Sequence, residues 1–254
     1  MIRTNNLHNA IYIANTDISK APFRKAGIWQ GVHQYKDMDM RVLRNFSFQA
    51  PVPTRKEKLQ EETQADQPWS EVHFQERVSG KPLNPGESYK IWPYNSFKKE
   101  QDPYMDGEVF SHTYMERFWP KRANDLGGNR NGIRYTLGDL ADVIKQINDN
   151  PLTRQAYLPI FFPEDTGAKG GIRVPCTLGY LFEVWDGKLD CTYYIRSCDS
   201  FRHFRNDVYL TARLMIYIAQ RTFTTTGNLT MHIANLHLFV NDEYAFNKKE
   251  NGKN

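Results

Sequence analysis

The sequence predicts one α+β domain around an antiparallel or mixed β-sheet, and three stretches carry that expectation. Asp139 to Asn150 places Leu140, Val143, Ile144 and Ile147 at the i, i+3, i+4, i+7 spacing of a single buried helical face. Leu178 to Trp185 and Leu189 to Ile195 are aromatic and β-branched runs joined through Asp186-Gly187-Lys188, the pattern of a hairpin with a short turn. Asp207 to Gln220 returns to helical spacing through Leu210, Leu214, Ile218 and Ala219, and Leu229 to Val240 reads as a last strand. Strands mixed with a few long helices give the α+β class.

Each element has local signals. Asp139 stands where an N-cap carboxylate accepts from the open N–H groups of a first turn, and Pro151 ends that helix. Two other stretches read as surface: Gln49 to Pro68, dense in charge and proline, is expected to be a polar loop or insertion, and Lys121 to Arg134, containing GGNRNG, a second excursion. Residues 241–254 form a polar tail.

With 254 residues, 40% hydrophobic, 13% aromatic and 24% charged, the chain can bury a core of its own. A formal charge of +4, spread among acids, argues against duplex nucleic acid and suits a small anionic ligand better. No apolar stretch reaches the roughly 18 residues of a membrane span, and the start lacks a signal-peptide run, so a cytoplasmic location is expected. Cys176, Cys191 and Cys198 show neither CxxC spacing nor an even count, which argues against a disulfide framework and a zinc site. No metal is expected.

The stretch from Val174 to Asp207, VPCTLGYLFEVWDGKLDCTYYIRSCDSFRHFRND, sets Pro-Cys before the hairpin, Arg-Ser-x-Asp after it and Asn-Asp entering a helix. In order and spacing it resembles the thymidylate synthase superfamily, and most of all the deoxycytidylate hydroxymethylases of large bacteriophages. PGESYKIW (Pro85 to Trp92), Tyr114 with Trp119, NPLTR and NLHLF are similar to further family elements, so the resemblance runs from about Trp69 to Phe239. It implies a thymidylate-synthase-like fold with a mixed sheet flanked by helices.

It also implies roles. Cys176 would be the nucleophile that adds to pyrimidine C6, since C5 attacks a one-carbon electrophile only after such an addition. A neighbouring arginine would favour its thiolate. Arg196 and Ser197 would bind the phosphate, a task suited to a guanidinium fork and a hydroxyl. Arg154 would reach the phosphate across a homodimer interface, with Gln155 standing where relatives often carry a second arginine. Glu71, with Glu76 as the alternative, would organise water and proton transfers, and Tyr114 would stand beside them. His237 would contact the sugar, although the tyrosine expected two residues later is Phe239. Ile91, Trp92, Asp199 and His203 would border 5,10-methylene-tetrahydrofolate, His203 replacing a glycine.

Asp207 is the position that would separate substrates. An amide there complements uracil O4 and N3–H, whereas a carboxylate accepts from the N4 amine of cytosine. The competing plain reading is a helix N-cap. Cys198 is expected to point away from Ser197 and Asp199 by strand alternation, and Cys191 to be packed. The leading expectation is therefore a homodimer that converts dCMP to 5-hydroxymethyl-dCMP. The alternatives are a relative acting on dUMP or CMP or with another donor, and a catalytically silent nucleotide-binding protein.

Overall fold

A computed structural model describes residues 1–25, 39–94, 105–106, 108–125, 138–166 and 173–251. In chain order the elements are β1 (Ile2–Arg3), α1 (Leu7–Ser19), β2 (Phe23–Arg24), β3 (Met40–Pro51), α2 (Lys56–Thr63), α3 (Trp69–Val78), β4 (Met105–Asp106), β5 (Val109–Phe110), α4 (Tyr114–Phe118), α5 (Pro120–Asp125), α6 (Leu140–Asp149), β6 (Ala156–Pro159), β7 (Thr177–Trp185), β8 (Lys188–Ile195), β9 (Cys198–Asp199), α7 (Phe204–Arg221), β10 (Thr225–Phe239) and α8 (Glu243–Asn251). A 3₁₀ turn, Glu87–Ile91, follows α3.

The main sheet runs β1-β3-β10-β8-β7-β6, with β2 on β3 and β9 on β10. It is mixed: β10 pairs antiparallel with β3 but parallel with β8. Asp186 and Gly187 both adopt positive φ, 48° and 72°, as a tight hairpin turn between β7 and β8 requires. On one face Tyr180, Phe182, Leu189, Cys191, Tyr193, Leu229, Met231 and Ile233 are buried with the apolar side of α7. The opposite face carries the row Tyr157, Leu181, Thr192, Thr230 and Gln49 across five paired strands, and there Tyr157, Leu178 and Tyr194 are exposed. Strand alternation produces both faces.

Two sequence expectations change, and a third falls largely outside the described residues. Residues 49–68 are not a loop: β3 runs to Pro51 and α2 follows, with Val52, Leu59 and Ala65 buried. Few apolar residues suffice because α2 rests by one narrow side on the core, and its acids are used locally, as where Glu62 accepts from the Leu7 N–H at the start of α1. Residues 241–254 are likewise no free tail as far as 251, because α8 buries Phe246 and pairs Glu250 with Arg205 and Lys249 with Asp66. The Lys121 to Arg134 stretch begins inside α5, and its GGNRNG motif lies outside the described residues. Among the described residues no helix is long and apolar enough to cross a membrane.

Candidate active site

Six segments converge on one open pocket with a cavity volume of about 160 Å³. Helix α3 contributes Trp69, His73 and Arg77, spaced by four so that they share a helical face. The segment entering β7 contributes Arg173 and Cys176, and α4 contributes Tyr114. Ser197, Cys198 and Asp199 come from the end of the β8–β9 track, Arg202, His203 and Asp207 from the entry of α7, and His237 from β10. The pocket thus opens where the central parallel pair of strands meets the entry of the longest helix.

Cys176 is held by its neighbours' backbone. Its carbonyl accepts from the Arg196 N–H at 2.9 Å, and the Arg196 side chain donates Nε to the Pro175 carbonyl at 2.9 Å and Nη2 to that of Val174 at 3.1 Å. Arg196 therefore fixes the loop that presents the thiol, and it is not among the side chains lining the pocket. Burial raises the Cys176 thiol above its ordinary pKa, outweighing the pull of Arg196 and Arg173 toward the thiolate. The expected pull of a nearby arginine is present but is outweighed by desolvation.

Asp207 is also buried, and burial lifts its carboxyl to about 6 despite the opposing Arg77 charge and the Cys198 hydrogen bond. Its neighbour Asn206 turns the other way, accepting from the Asp66 N–H and the Ser70 hydroxyl and donating to Asp66 Oδ2. One helical step thus separates a structural amide from a pocket carboxylate. Cys198 does not point away as strand alternation suggested: its Sγ donates to Asp207 Oδ2 at 3.5 Å. The alternation fails because β9 is only two residues long and starts after a break at Arg196-Ser197. Cys191 is packed in the core.

Tyr114 accepts from Thr177 Oγ1 at 3.1 Å, and Thr177 is in turn within 2.8 Å of the Tyr193 hydroxyl. Arg77 lies over the Tyr114 ring at 4.2 Å. Burial, then the charges of Cys176 and Asp207, push the phenol up to about 12. The Nε of Arg77 is buried without a hydrogen-bond partner. Ser197 Oγ stands 3.3 Å from His237 Nδ1, while His237 Nε2 is buried and unpartnered. Burial lowers the pKa of His237 and takes that of His203 down to about 4, so both rings are neutral at pH 7.

Along one wall Trp69 stacks on His73 at 4.9 Å and lies 4.2 Å from Trp92, which stacks on His203 at 5.0 Å. Trp92 backs this wall, whereas Ile91 is 44% exposed and does not line the pocket. Asp199 lines it, yet its Oδ1 already accepts from the N–H groups of Phe201 and Arg202. Phe239 meets His237 edge-on.

Glu71 is not brought to the pocket. It takes the other face of α3, where Arg213 donates Nε and Nη2 at 3.0 Å each and the Tyr209 hydroxyl at 2.7 Å. These bonds overcome burial and hold its carboxyl at about 2. Glu76 lies behind the pocket wall, bonded to Ser88. Arg154 is exposed two residues before β6, away from the pocket of its own chain. Sequence reasoning missed Trp69, His73, Arg77, Arg173 and Arg202; the four-residue spacing on α3 was the available signal for the first three.

Comparison with known proteins agrees with this arrangement. The thymidylate synthase family profile matches residues 51–250. Thymidylate synthases from Mycoplasma pneumoniae (29% identity, covering 59% of this chain and 53% of the relative), Rhodopseudomonas palustris (26%, 59% and 53%) and Listeria monocytogenes (32%, 54% and 43%) are similar to it. The match thus spans about half the length of these curated relatives. A mixed sheet, a Pro-Cys loop pinned by an arginine and a family match over most of the sequence lead to one conclusion: this chain belongs to the thymidylate synthase family.

Proposed function

We propose that the protein is a homodimeric deoxycytidylate 5-hydroxymethyltransferase. The observation that carries this reading is that Cys176 and Asp207 line one pocket, a thiol able to add to a pyrimidine and a carboxylate able to accept from an exocyclic amine. Addition of the Cys176 thiolate to C6 moves the C5=C6 electron pair onto C5 and makes that carbon nucleophilic. Asp207 accepts from cytosine N4, and also from N3 when the ring is protonated. Ser197 and Arg173 supply a hydroxyl and a cation for the phosphate, and His237 offers its unpartnered Nε2 to a sugar hydroxyl. Tyr114, already accepting from Thr177, keeps its own hydroxyl hydrogen for a second acceptor.

The wall of Trp69, Trp92 and His203 is aromatic, with Trp92 and His203 stacked, which fits the ring of methylene-tetrahydrofolate, with Asp199 beside it. When bound, that molecule supplies a one-carbon unit at the oxidation level of formaldehyde. The exposed tyrosine-bearing sheet face supports a second copy packing there, with Arg154 at its margin. Phe239, which offers no hydroxyl to a sugar, keeps CMP as a competing substrate.

The test is direct. With methylene-tetrahydrofolate present, dCMP should gain the mass of a hydroxymethyl group and dUMP much less. Turnover of dUMP equal to or above that of dCMP overturns the cytosine assignment.

A further inference from the structure

Resting on the C5 chemistry just proposed, we infer that His73 is the base that receives the proton leaving pyrimidine C5, the task that resemblance would have given to Glu71. The first ground is position. Glu71 and His73 sit two residues apart on α3, which turns them to different faces: Glu71 meets Arg213 and Tyr209, and His73 faces the pocket with Cys176 and Asp207.

The second ground is the tautomer. Ser88 Oγ has one hydrogen, and it donates this to Glu76 Oε2. The same oxygen lies 2.9 Å from His73 Nδ1, so it can only accept there, and Nδ1 must carry the ring hydrogen. Nε2 is then left with a lone pair. Glu76 is itself held, accepting the Ser88 N–H through Oε1 at 3.1 Å. Gly86 packs directly on this carboxylate, since a Cβ there would lie 2.4 Å from Oε2. The imidazole is thus oriented by a hydroxyl and a carboxylate behind it and by Trp69, stacked at 4.9 Å, beside it. Burial, helped by the Arg77 charge and opposed by Glu76, takes its pKa down to about 4, leaving the ring neutral and able to accept at pH 7.

The step balances without any other reactant. In the Cys176 adduct C5 carries two substituents besides its ring bonds, and one is the original hydrogen. His73 Nε2 takes that proton, the C5–H pair becomes the C5=C6 bond, and the C6–S bond breaks with its pair returning to the Cys176 thiolate. The imidazolium then passes its proton to water. Because solvent can protonate C5 of the adduct, the cycle washes hydrogen out of C5 in the absence of folate.

The experiment follows tritium released from [5-³H]dCMP without folate, alongside dCMP binding by calorimetry. His73→Ala should lose roughly 10²-fold or more of the release, the usual scale for a general base, bind dCMP within about threefold of the unmodified protein and regain release on adding imidazole. Release within threefold of the unmodified protein, or a loss that imidazole does not restore while binding persists, overturns the assignment. If His73→Ala fails to bind dCMP, His73→Gln decides, because its amide can still donate to Ser88 but cannot take up a proton: lost release supports the assignment and retained release overturns it. No release from dCMP or dUMP by the unmodified protein would instead refute the C5 chemistry itself, a distinct outcome.

Discussion

The Cys198 thiol donates to the Asp207 carboxylate, Sγ to Oδ2 at 3.5 Å, on the wall of a pocket that also holds Cys176. One carboxylate oxygen is therefore engaged from the protein side, and the carboxylate is oriented before any ligand arrives. A thiol is a weak donor that a stronger one can outcompete. The exocyclic amine of cytosine is such a donor.

From this follows the substrate prediction. Asp207→Asn presents a donor and an acceptor in place of two acceptors, which complements uracil O4 and N3–H. The ratio of kcat/KM for dCMP to that for dUMP should fall by at least about tenfold, equivalent to ~1.4 kcal/mol, as one exchanged hydrogen bond in a buried site implies. Competition assays with both nucleotides in one tube read the ratio directly. An unchanged ratio removes Asp207 from base recognition.

The same carboxyl should make stability depend on pH. Its folded value, raised by burial to about 6, lies above the unfolded value of about 4. The folded chain thus holds the proton more tightly, so this site's contribution is fully present below about pH 4 and lost as pH rises through about 6. Asp207→Asn removes the buried charge and should raise Tm at pH 8 by the equivalent of at most about 3 kcal/mol, the gain vanishing near pH 4. Thermal melts across that range test the sign. A variant less stable at pH 8 than at pH 4, relative to the unmodified protein, contradicts it.

Arg154 yields a prediction about assembly. It is exposed and remote from its own pocket, so a role in phosphate binding requires a second subunit. Mixing inactive Cys176→Ala chains with inactive Arg154→Ala chains should restore activity, because in the heterodimer one site keeps both residues. A fully active monomer in sedimentation would remove the basis for this sharing.

Behind the pocket, Arg117 and Asp165 form a buried bidentate pair, 2.9 Å in both arms, with Asp165 also accepting from the Phe162 N–H. Removing one partner strands a buried charge. Arg117→Ala should therefore cost about 3–5 kcal/mol in urea unfolding, whereas a cost below about 1 kcal/mol would mean that water reaches Asp165 and satisfies it.

Much of this architecture was legible in the residues. The Asp139 cap position, the Asp186-Gly187 turn and the apolar spacing of α6 and α7 are local rules, and each marks an element of the fold. Helix α7, however, begins at Phe204 with His203 at its N-cap, so that Asp207 lies inside the first turn and is not the cap. Helices α2 and α8 were not legible, since each buries only one or two side chains, Leu59 and Thr63 in one and Phe246 in the other, and leans on polar contacts with distant segments, Glu62 with the Leu7 N–H and Glu250 with Arg205. In the site, Cys176, Asp207, Ser197 and His237 were found through short ordered motifs. The face of α3 was not, because whether Glu71 or His73 turns inward depends on Arg213 and Tyr209, more than a hundred residues away. Likewise, Arg196 reads as a phosphate ligand by motif yet binds the Pro175 carbonyl.

The central claim is that Cys176 is the nucleophile, and one measurement addresses it most directly. Trypsin cleaves after Arg173, Lys188, Arg196 and Arg202, leaving Cys176, Cys191 and Cys198 on separate peptides. The protein is incubated with 5-fluoro-dCMP and methylene-tetrahydrofolate, where fluorine blocks loss of a proton from C5 and stalls the adduct, then digested and mapped by mass. The account predicts the nucleotide on the Val174 to Lys188 peptide, and none after Cys176→Ala. An adduct on the peptide of Cys198, whose thiol lines the same pocket, or a full yield of adduct in Cys176→Ala, would contradict it.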